Sequence, residues 1–214
     1  MKNFDFSQIK VMFESVAENM VAHADELCEM DALMGDGDLG LTMKKGFSAL
    51  PAILDDIQES DAGKKLAKAG MKMASVVPST MGTLMSSGIM NAGKALAGET
   101  AFTATSFQKY LEAFAEGIAK RGKCSRGDRT VLDAIAPAAE KLKAVLAEYP
   151  ETDLEQAAQI VLEAAEEGVE ATRSMEPRFG KAAVHKAAAA GQRDQGACAG
   201  LYMLEGMCKY ILKN

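Results

Sequence analysis

From Ile9 onward apolar residues recur at intervals of three, four or seven: Ile9, Phe13, Val16, Met20 and Leu27 form one stripe, and Glu14, Glu18 and Asp25 fall off it. This is the pattern of an amphipathic α-helix, whose faces repeat about every 3.6 residues. The same period runs through "AGKKLAKAGMKMASVV", "TLMSSGIMNAGKALAG", "FQKYLEAFAEGIAKRG", "VLDAIAPAAEKLKAVLAEY" and "DLEQAAQIVLEAAEEGVEATRSM". Two further stretches, "FGKAAVHKAAAAG" and "GACAGLYMLEGMCKYIL", are Ala-rich or carry apolar residues at helical spacing, as strong helix formers do. No segment alternates with a period of two for long enough to compete as a strand; "SVVP" comes nearest and is too short. The pattern predicts an all-α chain of about eight helices, joined by polar, Gly-containing gaps short enough for antiparallel neighbours.

A chain of 214 residues buries a sizeable core, and with no linker-like stretch and no fixed-period repeat it is expected to form one domain, 1–214. Lys+Arg number 24 against Asp+Glu 30, a formal charge of -6, which argues against nucleic acid or an anionic membrane as the main partner. Anionic small molecules stay within reach, because a bound cation reverses the local field. The opening residues, "MKNFDFSQIKVMFESVAENM", show neither a leader pattern nor a bilayer-spanning run, so a cytoplasmic location is expected. Cys28, Cys124, Cys198 and Cys208 lack CxxC spacing and read as buried free thiols rather than a disulfide framework or zinc site. His23 and His185 lie in helical segments with no Ser or Cys at a recognisable catalytic spacing, and the methionines mostly fill helical stripes.

Three junctions break the helical pattern and hold the candidate chemistry. The first is "DALMGDGDLG", with Asp31, Asp36 and Asp38 among glycines 35, 37 and 40. A lone Asp in a turn caps a helix, and Asp38 is placed to cap one beginning near Leu41; capping explains one aspartate and leaves the others. Clustered carboxylates repel unless a cation neutralises them, and hard divalent ions take oxygen ligands. A twelve-residue calcium loop starting at Asp36 would put Leu41 at the glycine position and Phe47 at the bidentate glutamate position, so that pattern fails. Magnesium, held by a few carboxylates plus waters and phosphates, fits better.

The second junction is "VPSTMGTLMSSG", where Pro78 ends one helix, Ser79 or Thr80 caps the next, and the first turn offers N–H groups to an anion. The third is "RGKCSRGDRTVLDAIAP", a basic loop from which Asp128 or Thr130 opens a helix; it reads equally as a solvated loop or a nucleotide contact. "MEPRFG" with Arg178 and "GQRDQGACAG" with Asp194 make two more breaks. There is no GxxxxGK[ST] and no strand-linked GxGxxG, which excludes a P-loop and a Rossmann site.

Taken in order, "DALMGDGDLGLTMKKGF", the Ser/Thr/Gly-rich helix start, "GDRTVLDAIAPA" and "RDQGACAG" resemble the nucleotide-binding L subunit family of dihydroxyacetone kinases, the DAK2 domain, over nearly the whole chain. The resemblance implies an eight-helix antiparallel barrel with ADP or ATP and two Mg2+ in the loops at one end. It implies that Asp31, Asp36 and Asp38 hold the metals. It places nucleotide contacts at Leu39, Gly40, Leu41, Thr42, Thr80, Met81, Gly122, Val131, Asp194, Gln195 and Gly196, with Arg178 near the phosphates. It further implies a kinase subunit that phosphorylates a short ketose held by a separate sugar-binding K subunit. As donor the resemblance implies ATP, or ADP recharged in place by a phosphoenolpyruvate-dependent phosphotransferase subunit.

The chain departs from the family pattern at Leu39, where a histidine is common, at residues 78–83 ("PSTMGT" in place of "GGASGP"), and at Gln195 in place of proline. These changes leave the aspartates intact and alter the phosphate-cradling surface, which leaves the donor and the sugar open, a tetrulose included. The oligomeric state, with a homodimer among the options, is open as well. A non-catalytic nucleotide-binding regulator that docks on a kinase subunit or transcription factor is the alternative reading.

Overall fold

The computed structural model describes residues 3–214, and their architecture is all-α. Its α-helices run in the order α1 (Ile9–Ala22), α2 (Ala24–Ala32), α3 (Leu39–Asp56), α4 (Ala62–Val76), α5 (Thr80–Ala95), α6 (Ala104–Gly122), α7 (Leu132–Glu148), α8 (Leu154–Ala171), α9 (Lys186–Ala189) and α10 (Gln195–Lys213). Each long helix buries one stripe and caps by local chemistry. Ser79, for instance, accepts the Gly82 N–H at the start of α5, and Asp153 with Gln156 forms a reciprocal capping box at the start of α8.

Packing closes eight of these helices into a ring, in the order α1, α3, α4, α5, α6, α7, α8, α10 and back to α1. Short connections force neighbours to run antiparallel, so the ring has two ends, and the starts of α3, α5, α7 and α10 share one of them with the ends of α2, α4, α6 and α8. A continuous apolar core fills the ring, with Phe13, Phe47, Phe107, Tyr110 and Phe114 fully buried. That core is the main source of stability, since each buried large apolar side chain contributes about 1.5–3 kcal/mol.

The structure corrects four local expectations. The first stripe is not one helix: the chain breaks at His23, which separates α1 from α2. Two two-residue strands, β1 (Phe4–Asp5) and β2 (Ala101–Phe102), pair antiparallel, and strands so short leave no alternation to detect. Helix α3 begins at Leu39, and Asp38, at its N-cap position, makes no side-chain cap. The Ala-rich stretch around residues 179–191 is not a full helix: it holds a 3₁₀ turn (Lys181–Ala183) and the single turn α9 between Gly180 and Gly191, both at positive φ. So short a segment has too little helical cooperativity to outweigh those glycine turns and its polar anchors.

Candidate functional site

The aspartate motif forms a tight loop because its backbone is tied to one of its own carboxylates. Asp31, buried at the end of α2, accepts the N–H groups of Gly37 (3.0 Å) and Asp38 (3.2 Å) on Oδ2. Residue 35 must be glycine for this, since a Cβ there would lie 2.4 Å from Asp31 Oδ1. As a result Asp31, Asp36 and Asp38 each bring a carboxylate oxygen within 4.8 Å of the others. Three carboxylate oxygens are the donor type that magnesium takes, and the cluster already attracts one cation, the Lys181 ammonium, 2.6 Å from Asp36 Oδ2. That pairing lowers the Asp36 carboxyl from its ordinary range and raises the Lys181 ammonium from its own.

These carboxylates edge a cavity of about 360 Å³ at one end of the ring. Leu39, Met81, Leu84 and Val131 give it an apolar wall, and Ser79, Thr80 and Thr42 add hydroxyls near the start of α5 and along α3. A concave, largely apolar site with a few convergent polar groups is the usual form of a small-molecule pocket.

At the start of α7, "SRGDRT" folds into a knot of side chain to backbone hydrogen bonds. Asp133, buried in the first turn of α7, accepts the N–H groups of Gly127 (2.5 Å) and Thr130 (2.8 Å), while Asp128 accepts that of Ser125 (2.7 Å). Neither Asp128 nor Thr130 caps α7 from the N-cap position, which Val131 occupies. The knot holds Arg129, one of the cavity-lining residues, in the left-handed region at φ 60°. Asp194 caps α10 through Ala197 (2.8 Å) and is anchored by its own N–H on Thr172 Oγ1 (2.9 Å). Burial pushes the Asp194 carboxyl up to about 7, against the pull of the Ala197 N–H and the Arg129 charge.

A strap, residues 175–193, crosses between α8 and α10 and covers one side of the cavity with Phe179, Gly180, Lys181 and Ala182. Ala182 and Ala189 pack on Met34 of the aspartate loop, apart from the main core.

Of the candidate residues, the cavity gathers Asp31, Asp36, Asp38, Leu39, Thr42, Thr80, Met81, Val131, Asp194, Gln195 and Gly196. Four lie off it. Gly40 is the contact point of α3 on α2, where a Cβ would meet the Ala24 carbonyl at 1.7 Å. Leu41 points outward and is largely exposed, and Gly122 ends α6 beside Leu84 and Cys124. Arg178, its side chain 71% exposed, pairs with Asp128 (3.2 Å), because its own N–H is fixed to the Asp128 carbonyl (3.3 Å). The strap cation at the cavity is Lys181, which the sequence hid in an apparently helical run; Arg129 was visible only as one letter of its motif.

The ring of antiparallel helices with a carboxylate-edged cavity in its end loops defines the class, an all-α helical barrel. More particularly, the chain belongs to the DAK2 domain family, whose model matches residues 33–209. It is 29% identical over 186 residues, covering 85% of this chain and 86% of the relative, to the ADP-binding subunit DhaL of the PEP-dependent dihydroxyacetone kinase of Escherichia coli (strain K12). To the corresponding subunit of dihydroxyacetone kinase 1 of Listeria innocua it is 35% identical over 116 residues, 54% of this chain and 58% of that one. A D-erythrulose kinase of Mycolicibacterium smegmatis is 29% identical over 189 residues, but the match covers only 32% of that longer protein against 86% of this chain. In fold it resembles the dihydroxyacetone kinase of C. freundii in its native form, with a TM-score of 0.71, 22% identity, and coverage of 98% of this chain and 36% of that one. The same kinase in complex with AMP-PNP and Mg2+ gives a TM-score of 0.67 at 24% identity over 95% of this chain and 34% of that one. No helix among the described residues is long and apolar enough to cross a membrane.

Proposed function

We propose that this chain is the nucleotide-binding, phosphoryl-transferring subunit of a dihydroxyacetone-type kinase, acting as one domain on a short ketose held by a separate sugar-binding subunit. The observation that carries the reading is the convergence of Asp31, Asp36 and Asp38 on one edge of the cavity. Family membership and the match over most of the length of a DhaL subunit support it.

The nucleotide base lies against the apolar wall of Leu39, Met81, Leu84 and Val131, which directs its phosphates to the aspartate edge. Asp31, Asp36 and Asp38 hold two magnesium ions, with Asp31 kept in place by the two backbone N–H groups it accepts. Bound magnesium supplies charge neutralisation and a template for the phosphate oxygens. Lys181 adds a positive charge from the strap side; a loose, metaphosphate-like transfer asks chiefly for such positioning and charge. The acceptor hydroxyl is one of the ketose held by the sugar-binding partner, with dihydroxyacetone or a tetrulose such as erythrulose as the substrate class. The donor is either ATP or ADP recharged in place by a phosphoenolpyruvate phosphotransferase subunit, and a homodimer is compatible with either route.

Asp36→Asn provides the test. Asp36 has a 60% exposed side chain whose ion pair is with Lys181, so its loss leaves the fold intact. Wild-type protein is expected to carry ADP through purification or to bind it in calorimetric titration only with magnesium, and the variant to lose at least about tenfold in that affinity. Equal magnesium-dependent affinity in both proteins would defeat the metal assignment. Nucleotide binding without phosphoryl transfer to ketose in the presence of a sugar-binding subunit would favour the regulator.

A further inference from the structure

Arg129 is only 3% exposed, yet it is one of the residues that line the cavity, and its buried guanidinium is incompletely used. Nη2 donates to the carbonyls of Ala189 (2.7 Å) and Gln192 (2.8 Å), both on the strap. Nε and Nη1 are buried and have no hydrogen-bond partner among the described residues. A buried charged donor without an acceptor is costly, so a guanidinium held this way on a cavity-lining residue is poised for an anionic oxygen from outside the chain. Which part of a ligand it meets follows from its neighbours. Ala189, whose carbonyl it grips, packs with Ala182 and Met34; Met34 lies between Asp31 and Asp36, and Ala182 follows the lysine paired with Asp36. Arg129 therefore belongs with the aspartate edge of the cavity rather than with its apolar wall.

We propose that Arg129 donates from Nε and Nη1 to a phosphate oxygen of the bound nucleoside diphosphate, while Nη2 holds the strap over the cavity through the Ala189 and Gln192 carbonyls. The proposal rests on the nucleotide-binding reading above. It assigns the arginine of the Gly-Asp-Arg-Thr turn two tasks at once, which the planar fork of a guanidinium can share and a single ammonium cannot.

The test compares wild type, Arg129→Lys and Arg129→Gln, first checked for the same helical circular dichroism. Magnesium-ADP is titrated by calorimetry, adenosine binding is followed by ligand-observed NMR, and hydrogen exchange is read across residues 180–192. Wild type is expected to bind ADP and slow exchange in the strap on binding. Both variants are expected to lose about tenfold or more in ADP affinity, to bind adenosine within about twofold of wild type, and to leave strap exchange fast with ADP present. ADP affinity within about twofold of wild type in the lysine variant overturns the proposal. So does an equal loss for ADP and adenosine, which would make Arg129 a shaper of the cavity alone. If the glutamine variant fails to fold, the lysine variant, which keeps the buried charge, decides the matter. Failure of wild type to bind either ligand refutes instead the nucleotide reading on which the proposal stands.

Discussion

At the end of the ring away from the cavity, aromatic rings interlock: Phe102 stacks on Phe4 with centroids 5.0 Å apart and touches Phe6 and Phe107 at 5.7 Å, while Tyr210 meets Phe4 edge-on at 5.2 Å. At the cavity end the loops are held differently, by carboxylates accepting backbone N–H groups, as Asp31 does for 37 and 38, Asp133 for 127 and 130, and Asp194 for 197. Apolar packing gives one end stability without directional chemistry. Hydrogen-bonded turns at the other end fix polar groups in place while leaving some of their atoms free for a ligand. Stability and binding are thus separable along the axis of the ring.

Substitutions at the two ends put that separation to the test. Phe102→Ala, which empties the centre of the aromatic cluster, should cost about 3–5 kcal/mol of stability in denaturant unfolding, while magnesium-dependent ADP affinity of the folded protein stays near wild type. A parallel collapse of affinity would show that the two ends are coupled. Gly35→Ala should act in reverse: the added methyl drives Asp31 out of position and lowers magnesium-dependent ADP affinity by at least about tenfold, or about 1.4 kcal/mol, with a smaller change in unfolding midpoint. Affinity unchanged in that variant would mean the Asp31 geometry does not matter for binding.

The smallest expected effect is a pH dependence from Asp194. Its carboxyl is raised to about 7 in the fold, above the ordinary value of 3.8, so the native state holds a proton that the unfolded chain has released. Stability from this group is present at low pH and is lost as pH rises through about 7, by about 1.4 kcal/mol between pH 6 and pH 8. Urea unfolding across that range should show the decline in wild type and a flatter profile in Asp194→Asn, which keeps a capping side chain. Equal slopes in the two proteins would assign the pH dependence to other groups.

The helices were legible because each long one carries a stripe at its own period, and burying that stripe is what the tertiary structure then does. Helices α4 to α8 and α10 need no information from elsewhere in the chain to be recognised. The aspartate loop was legible for a similar reason: glycines and carboxylates in one turn have few structural uses. The strap was misread because alanine favours a helix only when the segment is long enough and nothing competes. Here Gly180 and Gly191 turn the chain, Arg129 holds the carbonyls of 189 and 192, and Met34 supplies the apolar contact. These partners come from residues more than fifty positions away in the sequence, in the case of Arg129 sixty.

By itself, then, the sequence determined that this chain makes amphipathic helices with short connections, breaks them at a few polar turns, and places three carboxylates on one of those turns. Local spacing and turn chemistry suffice for each of these. Only the tertiary structure decided that the turns meet at one end of a closed ring, that Lys181 faces the aspartates while Arg178 turns to Asp128, and that Arg129 is buried with two nitrogens unused. Those outcomes depend on which backbone groups distant segments present to one another, and that becomes defined only once the ring has closed.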